Sequence, residues 1–268
     1  MMNHEPPEAR PVAFITGGTS GIGAAYARKF AELGFDLLLT GRREKVLEGF
    51  CTELEEKYRI RVGFILAEFS NSKQLAEVVD VVKRTHGLKI LVNNAGYTRL
   101  ELFHEDDVDA QVDMMKVHDE AAVRLTHAAI PILTKNSWAA IINISSIAAF
   151  QIGARNIMYD ATKSFLLNFS ESLHILLRNT CIRVQAVCPG FTRTDFHAKL
   201  GMNDDHPIFS KRKFMKAEQV VNISMKYLEK GRVVCIPGWN NRLIAFAARF
   251  TPRRLLYNLY ARRRGLKH

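Results

Sequence analysis

Tyr159 and Lys163 are the two residues whose types and spacing point most directly to chemistry. Four residues apart on a helix, they would share one face, with the ammonium beside the phenol. A free tyrosine has a pKa of about 10, and a neighbouring positive charge lowers it by stabilising the phenolate. Such a phenol can exchange a proton with a bound substrate. Ser145 and Ser146 precede the pair, and a serine hydroxyl can stabilise a developing oxyanion. The alternative is that Tyr159 and Lys163 are an ordinary pair of helix neighbours, and that Ser145 and Ser146 merely end a strand.

A glycine-rich stretch, Thr16 to Gly23, follows the apolar run Val12 to Ile15 and precedes a helical pattern. Glycine permits positive φ angles and lets the backbone approach a ligand closely. The N-terminus of the next helix offers N–H groups and a partial positive charge to a pyrophosphate. No Gly-Lys-Ser/Thr follows, which argues against a P-loop. We predict a dinucleotide site here, although tight strand–helix turns also use glycine without binding a ligand.

Short apolar strands alternate with amphipathic helices along the chain, and no linker or repeat divides it. This alternation predicts an α/β fold, a single Rossmann-type doubly wound parallel sheet of about seven strands with helices on both faces. Ligands of such sheets bind at the carboxyl ends of the strands. The predicted strands are 12–15, 35–39, 62–66, 90–92, 139–144, 182–187 and 233–236, and the predicted helices are 22–33, 44–58, 72–85, 107–133, 159–177 and 216–229.

Five motifs follow these strands in order. They are Gly-xxx-Gly-x-Gly (Gly17, Gly21, Gly23), Asn93-Asn94-Ala95-Gly96, Ser146 placed 13 residues before Tyr159, Tyr159-xxx-Lys163, and Pro189-Gly190 with Thr192 and Thr194. Together they resemble the short-chain dehydrogenase/reductase family, in its Tyr-xxx-Lys, ketoreductase-like form, over roughly residues 12–236. The resemblance implies an oxidoreductase that interconverts a carbonyl and an alcohol by hydride transfer.

The same resemblance implies the catalytic roles. Tyr159 would be the acid/base, Lys163 would lower its pKa together with the oxidised nicotinamide and reach the nicotinamide ribose, and Ser146 would bind the substrate oxygen. Ser145 is the second candidate for the serine. His118 occupies the position where many members carry an asparagine that holds a water linking the lysine to solvent. Imidazole titrates near neutrality, so His118 is either a proton relay with altered pH dependence or a packing residue.

The end of the second strand predicts the cofactor. NAD sites usually carry an Asp or Glu there, but this sequence has Gly41 followed by Arg42 and Arg43. Two guanidinium groups suit a 2′-phosphate, so NADP(H) is favoured over NAD(H). The alternative is that both arginines begin a solvated helix. Glu68 would lie near the adenine or cap a helix. The predicted cofactor-binding residues are Gly17, Thr19, Ser20, Gly21, Ile22, Gly23, Arg42, Arg43, Glu68, Asn94, Ala95, Gly96, Tyr159, Lys163, Pro189, Gly190, Thr192 and Thr194.

Charge divides the 268 residues unevenly. The net charge is +11, yet residues 1–198 hold 22 basic and 23 acidic residues, while residues 199–268 hold 16 basic and four acidic. We expect a polar N-terminal arm (1–11), a Rossmann-type dinucleotide-binding and catalytic domain (12–240) with a substrate lid (195–215), and a basic amphipathic extension (241–268). That extension is either a weak peripheral membrane contact or a pair of helices over the active-site rim or a subunit interface.

The remaining expectations concern compartment, substrate and partners. Four cysteines without metal or disulfide spacing, and no leader or apolar span, predict buried thiols in a cytoplasmic protein without a metal. Homodimers or homotetramers would form through 107–133 and 159–177, and no nucleic acid is expected.

An apolar carbonyl compound is the expected substrate, such as a ketoacyl thioester, a steroid-like ketone or a xenobiotic. Phe150, Ile152, Phe191, Phe196, Phe209 and Phe214 could form its pocket or simply pack. The alternatives to an enzyme are a cofactor-binding regulator without turnover and a basic surface that binds membrane or nucleic acid.

Overall fold

The computed structural model describes residues 10–99, 101–153, 156–193 and 214–262. In chain order the strands are β1 (Val12–Ile15), β2 (Asp36–Gly41), β3 (Val62–Leu66), β4 (Leu88–Asn93), β5 (Ala139–Ile144), β6 (Ile182–Val187), β7 (Thr192–Arg193), β8 (Met215–Lys216) and β9 (Val234–Cys235). Seven of them form one parallel sheet in the order β3-β2-β1-β4-β5-β6-β9. The predicted fold class is confirmed. Winding reverses between β1 and β4, which opens a crevice at their carboxyl ends.

Helices cover both faces of this sheet. They are α1 (Gly21–Glu32), α2 (Glu44–Tyr58), α3 (Ser72–Arg84), α4 (Val108–Met115), α5 (Ala121–Leu133), α6 (Ile157–Leu177), α7 (Ala217–Glu229), α8 (Trp239–Phe250) and α9 (Arg253–Arg262). Side chains alternate between faces along each strand. Ala13 and Ile15 therefore pack with α1, α2 and α7, while Phe14 between them packs with α3, α5 and α6. Two apolar layers thus hold the sheet rigidly beneath the crevice.

The long helix predicted over 107–133 is interrupted. Residues Lys116–Glu120 form one π-helical turn between α4 and α5. A π turn inserts an extra residue into a helix, and such turns occur frequently at functional sites. The apolar periodicity continues through this segment, so the sequence pattern does not reveal the interruption. The turn places His118 on the buried side of the helix.

The C-terminal third joins the sheet through short elements. β7 pairs in parallel with β8, although the lid predicted between them lies outside the described residues except for 214 and 215. α8 and α9 follow β9. Among the helices that the structure describes, none has both the length and the apolar composition needed to cross a membrane.

All four cysteines are free thiols. Cys51, Cys188 and Cys235 are buried as predicted, whereas Cys181 is half-buried. Burial raises the pKa of Cys51 to about 11 and the pKa values of Cys188 and Cys235 to about 12. The buried thiols therefore stay protonated near neutral pH.

Candidate active site

The glycine-rich loop after β1 needs glycine at two of its positions. Gly17 has a φ of +62°, which side chains of L-residues rarely adopt. At Gly23, a Cβ atom would lie 2.3 Å from the carbonyl oxygen of Gly17 and 2.4 Å from Asn94 Nδ2. The loop can therefore fold tightly over the start of α1. Thr19, Ser20, Gly21 and Ile22 complete the turn, and the first N–H groups of α1 have no intrahelical acceptor.

Asn94 connects this loop to the end of β4. Its side-chain amide donates to the carbonyl oxygens of Thr16 (2.9 Å) and Gly17 (3.0 Å). The backbone N–H groups of Asn94 and Ala95 both donate to Thr16 Oγ1 at 2.9 Å. These bonds close the crevice between β1 and β4 from below. Thr16 was not singled out in the sequence, although it is the polar residue directly after β1.

The loops after β2 and β3 place charged side chains at one end of the crevice. Arg42 donates to Glu68 Oε2 at 2.8 Å, and Glu68 Oε1 accepts the N–H of Ser70 at 3.4 Å. Glu68 does not cap α3, because Asn71 is the N-cap and its side chain accepts the N–H groups of Lys73 and Gln74. Arg43 is exposed beside it at the start of α2. Gly41, where a carboxylate would select NAD, ends β2 with Leu47 next to it.

Ser146, Tyr159 and Lys163 meet at the carboxyl end of β5. The Ser146 hydroxyl hydrogen-bonds the Tyr159 hydroxyl and accepts the N–H of Ala148 at 3.1 Å. Lys163 Nζ lies 5.6 Å from the centre of the Tyr159 ring and donates to the carbonyl oxygen of Ile144 at 3.0 Å. Ser145 instead donates to the carbonyl oxygen of Lys163 at 2.7 Å. Ser146 therefore faces the phenol, while Ser145 fixes the helix that carries it.

Burial dominates the ionisation of this cluster. The pKa of Tyr159 is raised to about 12, mainly because burial disfavours the phenolate, although the Ser146 hydrogen bond opposes the rise. The pKa of Lys163 is lowered to about 8, mainly because burial disfavours the ammonium. Without a bound cofactor, the Lys163 charge therefore does not lower the pKa of Tyr159 below its usual value. Tyr159 is a neutral phenol at pH 7, which is the form that can donate a proton.

His118 uses both ring nitrogens in hydrogen bonds to the protein. Nε2 accepts the N–H of Tyr97 at 2.9 Å, so Nδ1 carries the proton and donates to Thr162 Oγ1 at 2.8 Å. Thr162 in turn donates to the carbonyl oxygen of Tyr159 at 2.9 Å. Burial and the Lys163 charge lower the pKa of His118 well below its usual 6.5. The expectation that this imidazole titrates near neutrality does not hold, because protonation would break the bond from Tyr97.

Asp119, the next residue of the π turn, was missed in the sequence. Its Oδ1 atom is buried and has no hydrogen-bond donor among the described residues. Burial raises the pKa of this carboxyl to about 7, and the nearby Lys163 ammonium opposes the rise. A buried carboxylate oxygen without a protein donor requires a proton or a water. The available signal was a charged residue within an apolar helical pattern, directly after His118.

The Pro-Gly motif follows β6 and lies against α8. Pro189 accepts the N–H of Ile147 at 2.9 Å, and Thr192 Oγ1 donates to the carbonyl oxygen of Gly190 at 3.1 Å. A Cβ atom at Gly190 would lie 2.5 Å from the side-chain nitrogen of Asn241 in α8. The α8 helix therefore contributes directly to this rim of the crevice. Thr194 lies outside the described residues.

The predicted apolar wall is described in part. The rings of Phe191 and Phe214 lie 5.5 Å apart, edge to face. Phe150 and Ile152 are half-buried beyond Ser146. Phe196 and Phe209 lie outside the described residues. The four described members of this predicted wall are therefore all apolar, and the wall itself stays a prediction.

The crevice fits a dinucleotide. The positive φ at Gly17 and the absence of space for a Cβ at Gly23 leave backbone N–H groups and a helix N-terminus facing the crevice. Gly96 allows the chain to pass His118, where a Cβ atom would lie 2.8 Å from Nε2. No cluster of three or more metal-ligating side chains occurs in the described part of the chain.

Comparison with known proteins agrees with this geometry. A 3-oxoacyl-(acyl-carrier-protein) reductase of Aquifex aeolicus is 33% identical over 193 residues, 70% of this chain and 77% of the relative. A sulfoacetaldehyde reductase of Chromohalobacter salexigens is 35% identical over 188 residues, 69% of this chain and 74% of the relative. A short-chain dehydrogenase from Sphingobium yanoikuyae, solved in complex with NADPH, superposes with a TM-score of 0.81 at 28% identity, covering 92% of this chain and 95% of that one. The family model described as short chain dehydrogenase matches residues 11–205. The chain therefore belongs to the short chain dehydrogenase family, and this membership makes it an oxidoreductase.

Proposed function

We propose that this protein is an NADP(H)-dependent oxidoreductase that interconverts an apolar ketone or ketoacyl compound and its alcohol. The observation that carries the proposal is the hydrogen bond between Ser146 and Tyr159, with Lys163 against the same ring. This cluster lies at the carboxyl ends of the strands, beside the dinucleotide-shaped crevice. A bound nicotinamide cofactor supplies or accepts the hydride.

The chain's own residues handle the proton. In reduction, Tyr159 Oη donates its proton to the carbonyl oxygen of the substrate, and in oxidation it accepts the proton of the hydroxyl. The Ser146 hydroxyl donates a hydrogen bond to the same substrate oxygen and stabilises its developing charge. Lys163 holds a positive charge beside the phenol, which favours the phenolate after the proton has left. His118 positions the Tyr159 backbone through Thr162.

We further propose that Asp119 links Lys163 to solvent. Asp119 is half-buried, its Oδ1 atom is buried without a donor among the described residues, and the Lys163 ammonium acts on its charge. A carboxylate in this position can accept a proton that leaves Lys163 and release it outward. His118 cannot perform this step as a titrating group because both ring nitrogens are engaged.

The pH profile of alcohol oxidation tests the role of Asp119. The pKa of Asp119 is raised to about 7, so below pH 7 the carboxyl is protonated and cannot accept a proton. We expect kcat/KM for oxidation to fall as the pH drops through about 7. Asp119→Asn should remove this inflection, and should also lower the pKa of Lys163 because the carboxylate raises it.

Two control variants make this test specific. Asp113→Asn removes a carboxylate from α4 that pairs with Lys116 in solvent and should leave the inflection in place. His118→Asn should lower turnover without moving the inflection, because this imidazole stays neutral. An inflection near pH 7 that survives Asp119→Asn and disappears in His118→Asn would restore the histidine relay.

The preference for NADP(H) rests on the charges after β2. Arg42 and Arg43 are both exposed there, and Gly41 provides no carboxylate to repel a phosphate. Arg42 is paired with Glu68 at an exposed site, where such a pair contributes little. A phosphate dianion can therefore compete for the guanidinium. The NADPH complex of the Sphingobium relative supports the same choice.

We expect Arg42→Ala and Arg43→Ala to raise KM for NADPH about ten- to 100-fold each, as loss of a charge-assisted hydrogen bond predicts. KM for NADH should stay within about twofold, because NADH lacks the phosphate. Steady-state kinetics with both cofactors measures the difference. Arg124→Ala, which removes an exposed arginine paired with Glu120, is the matched control. An equal rise in KM for NADPH and NADH would show that the arginines do not bind the 2′-phosphate.

The general experiment is NADPH oxidation against a panel of ketones, aldehydes and ketoacyl thioesters. The apolar side chains predicted to line the pocket favour substrates with apolar bodies. Turnover of at least one class is expected, and no turnover combined with tight NADPH binding would favour a regulator without catalysis. If the protein binds neither NADPH nor NADH at micromolar concentration, both the enzyme and the cofactor-binding regulator are contradicted.

We also propose that the protein forms homo-oligomers through α4, α5 and α6. Val108, Val112 and Met115 lie on one face of α4 and are 63%, 41% and 42% exposed. Phe165 on α6 is 41% exposed and stacks on Phe169. Light scattering should give a dimer or tetramer, and Val112→Glu should shift it to monomer.

The free thiols fit a reducing compartment, and we propose that the protein is cytoplasmic.

A further inference from the structure

Helix α8 has two opposite faces, and only one of them is used by the fold. Asn241 and Ala245, four residues apart, face the body of the protein. Asn241 donates to the carbonyl oxygen of Pro237 and packs on Gly190. Ala245 is 4% exposed. These residues are small, so the helix lies close to the rim of the crevice and its orientation is fixed.

The outward face carries a stripe of large apolar side chains, which we call the α8 stripe. Trp239, Leu243, Phe246 and Phe250 follow the i, i+4, i+7, i+11 spacing of one helix face. They are 68%, 55%, 63% and 67% exposed, respectively. Isolated exposed apolar residues are common on protein surfaces, but a contiguous row of this size marks an interaction site.

All charged residues within α8 and α9 are arginines. Arg242 and Arg249 lie on one flank of α8, and Arg253 and Arg254 begin α9. No aspartate or glutamate occurs after Glu229, while the last 28 residues of the chain hold eight Lys and Arg. Leu255 on α9 is 58% exposed, so the apolar surface continues past Pro252. Exposed aromatic and aliphatic side chains bordered by arginines are the composition of helices that lie on anionic membranes.

We propose that the α8 stripe binds the surface of an anionic lipid bilayer, with α8 lying in the plane of the interface. The apolar side chains enter the boundary between headgroups and acyl chains, and the arginines pair with lipid phosphates. A second copy of the chain fits this surface less well, because a two-fold contact through the stripe would bring the arginines of one copy close to the arginines of the other. The inference goes beyond the proposed reaction and does not depend on it.

Sedimentation with vesicles tests the proposal on the full chain. Vesicles of phosphatidylcholine alone are compared with vesicles that contain about 30% phosphatidylserine, since anionic lipid attracts basic segments. We expect at least about tenfold stronger partitioning onto the anionic vesicles at low salt. High salt should weaken it, because salt screens the attraction of the arginines. Equal partitioning onto both compositions, or none, would overturn the proposal.

Substitutions separate the stripe from the rest of the surface. The double variant Trp239→Gln/Phe246→Gln should lower partitioning at least about tenfold, and Arg249→Gln about fivefold. The matched control is Leu33→Gln/Val46→Gln, which removes two apolar side chains that are 51% and 40% exposed, lie outside α8 and the helices of the proposed oligomer, and should change nothing. An unchanged result for the stripe variant would overturn the proposal.

Tryptophan quenching and molar mass distinguish the other occupants. The chain has two tryptophans, Trp138 and Trp239, and brominated anionic lipids should quench wild type but not Trp239→Phe. If the stripe instead binds a second copy, Trp239→Gln/Phe246→Gln will lower the molar mass by light scattering, which contradicts the proposal. If residues 194–213 of the same chain cover it, neither quenching nor partitioning will occur, which also contradicts it.

Discussion

Tyr159→Phe should lower kcat/KM for carbonyl reduction about 10²- to 10⁴-fold, the range that a positioned general acid contributes. The variant removes the one hydroxyl that Ser146 hydrogen-bonds and keeps the ring against which Lys163 lies. The pKa of this hydroxyl is raised to about 12, so wild type carries the proton throughout the neutral range. The protonation state of Tyr159 should therefore make kcat/KM for reduction nearly independent of pH in this range. In oxidation the phenolate must accept a proton, so kcat/KM should rise with pH.

Tyr97→Phe is the matched control for this variant. Tyr97 is a half-buried tyrosine beside His118, and within the described residues its hydroxyl donates a long 3.5 Å hydrogen bond to the carbonyl oxygen of Ala110. We expect it to retain turnover within about threefold, as loss of one weak hydrogen bond predicts. NADPH affinity, measured by fluorescence, should be the same for wild type and both variants. Equal turnover of Tyr159→Phe and Tyr97→Phe would remove Tyr159 from the mechanism.

Gly23→Ala should abolish tight cofactor binding and destabilise the fold by about 1–3 kcal/mol, the usual cost of overpacking. The added Cβ atom would lie 2.3 Å from the Gly17 carbonyl oxygen and 2.4 Å from Asn94 Nδ2. Neither neighbour can yield without cost, because the first is backbone and the second holds the loop through two hydrogen bonds. The loop must move, and its N–H groups leave the crevice.

Gly49→Ala is the control of opposite sign. This glycine lies in α2 with nothing within 4 Å of its Cβ position. Alanine there should stabilise the protein by about 0.5–1 kcal/mol, since glycine disfavours helix interiors. Denaturant unfolding measures stability, and isothermal titration with NADPH measures binding. A Gly23→Ala protein that binds NADPH as tightly as wild type would show that the loop does not contact the cofactor.

The fold was predictable because its elements follow strong local patterns. The buried strands β5 and β6 and the edge strand β3 are short, largely apolar runs that begin and end as the sequence predicts. Glycines and polar residues then mark the turns at their carboxyl ends. Periodicity does not reveal the π turn at Lys116–Glu120, because its residues keep the apolar pattern of the helix around them.

The site was predictable in its residue types but less so in its electrostatics. The spacing before Tyr159 favours Ser146, and the structure places that hydroxyl on the phenol. Whether His118 titrates depends on its burial and on two hydrogen bonds, one from the Tyr97 N–H and one to Thr162, which lie far from it in sequence. The role of α8 at the rim depends on a contact between Asn241 and Gly190. Long-range contacts of this kind leave no local pattern in a sequence.

The central claim is a hydride transfer to a carbonyl carbon that depends on Tyr159. The most direct measurement uses NADPH carrying deuterium at the transferable position of the nicotinamide, mixed with the panel of ketones, aldehydes and ketoacyl thioesters. Mass spectrometry should find one deuterium at the carbinol carbon of at least one product with wild type, and a yield at least about 100-fold lower with Tyr159→Phe. Products without deuterium, or equal yields from both proteins, would contradict the account.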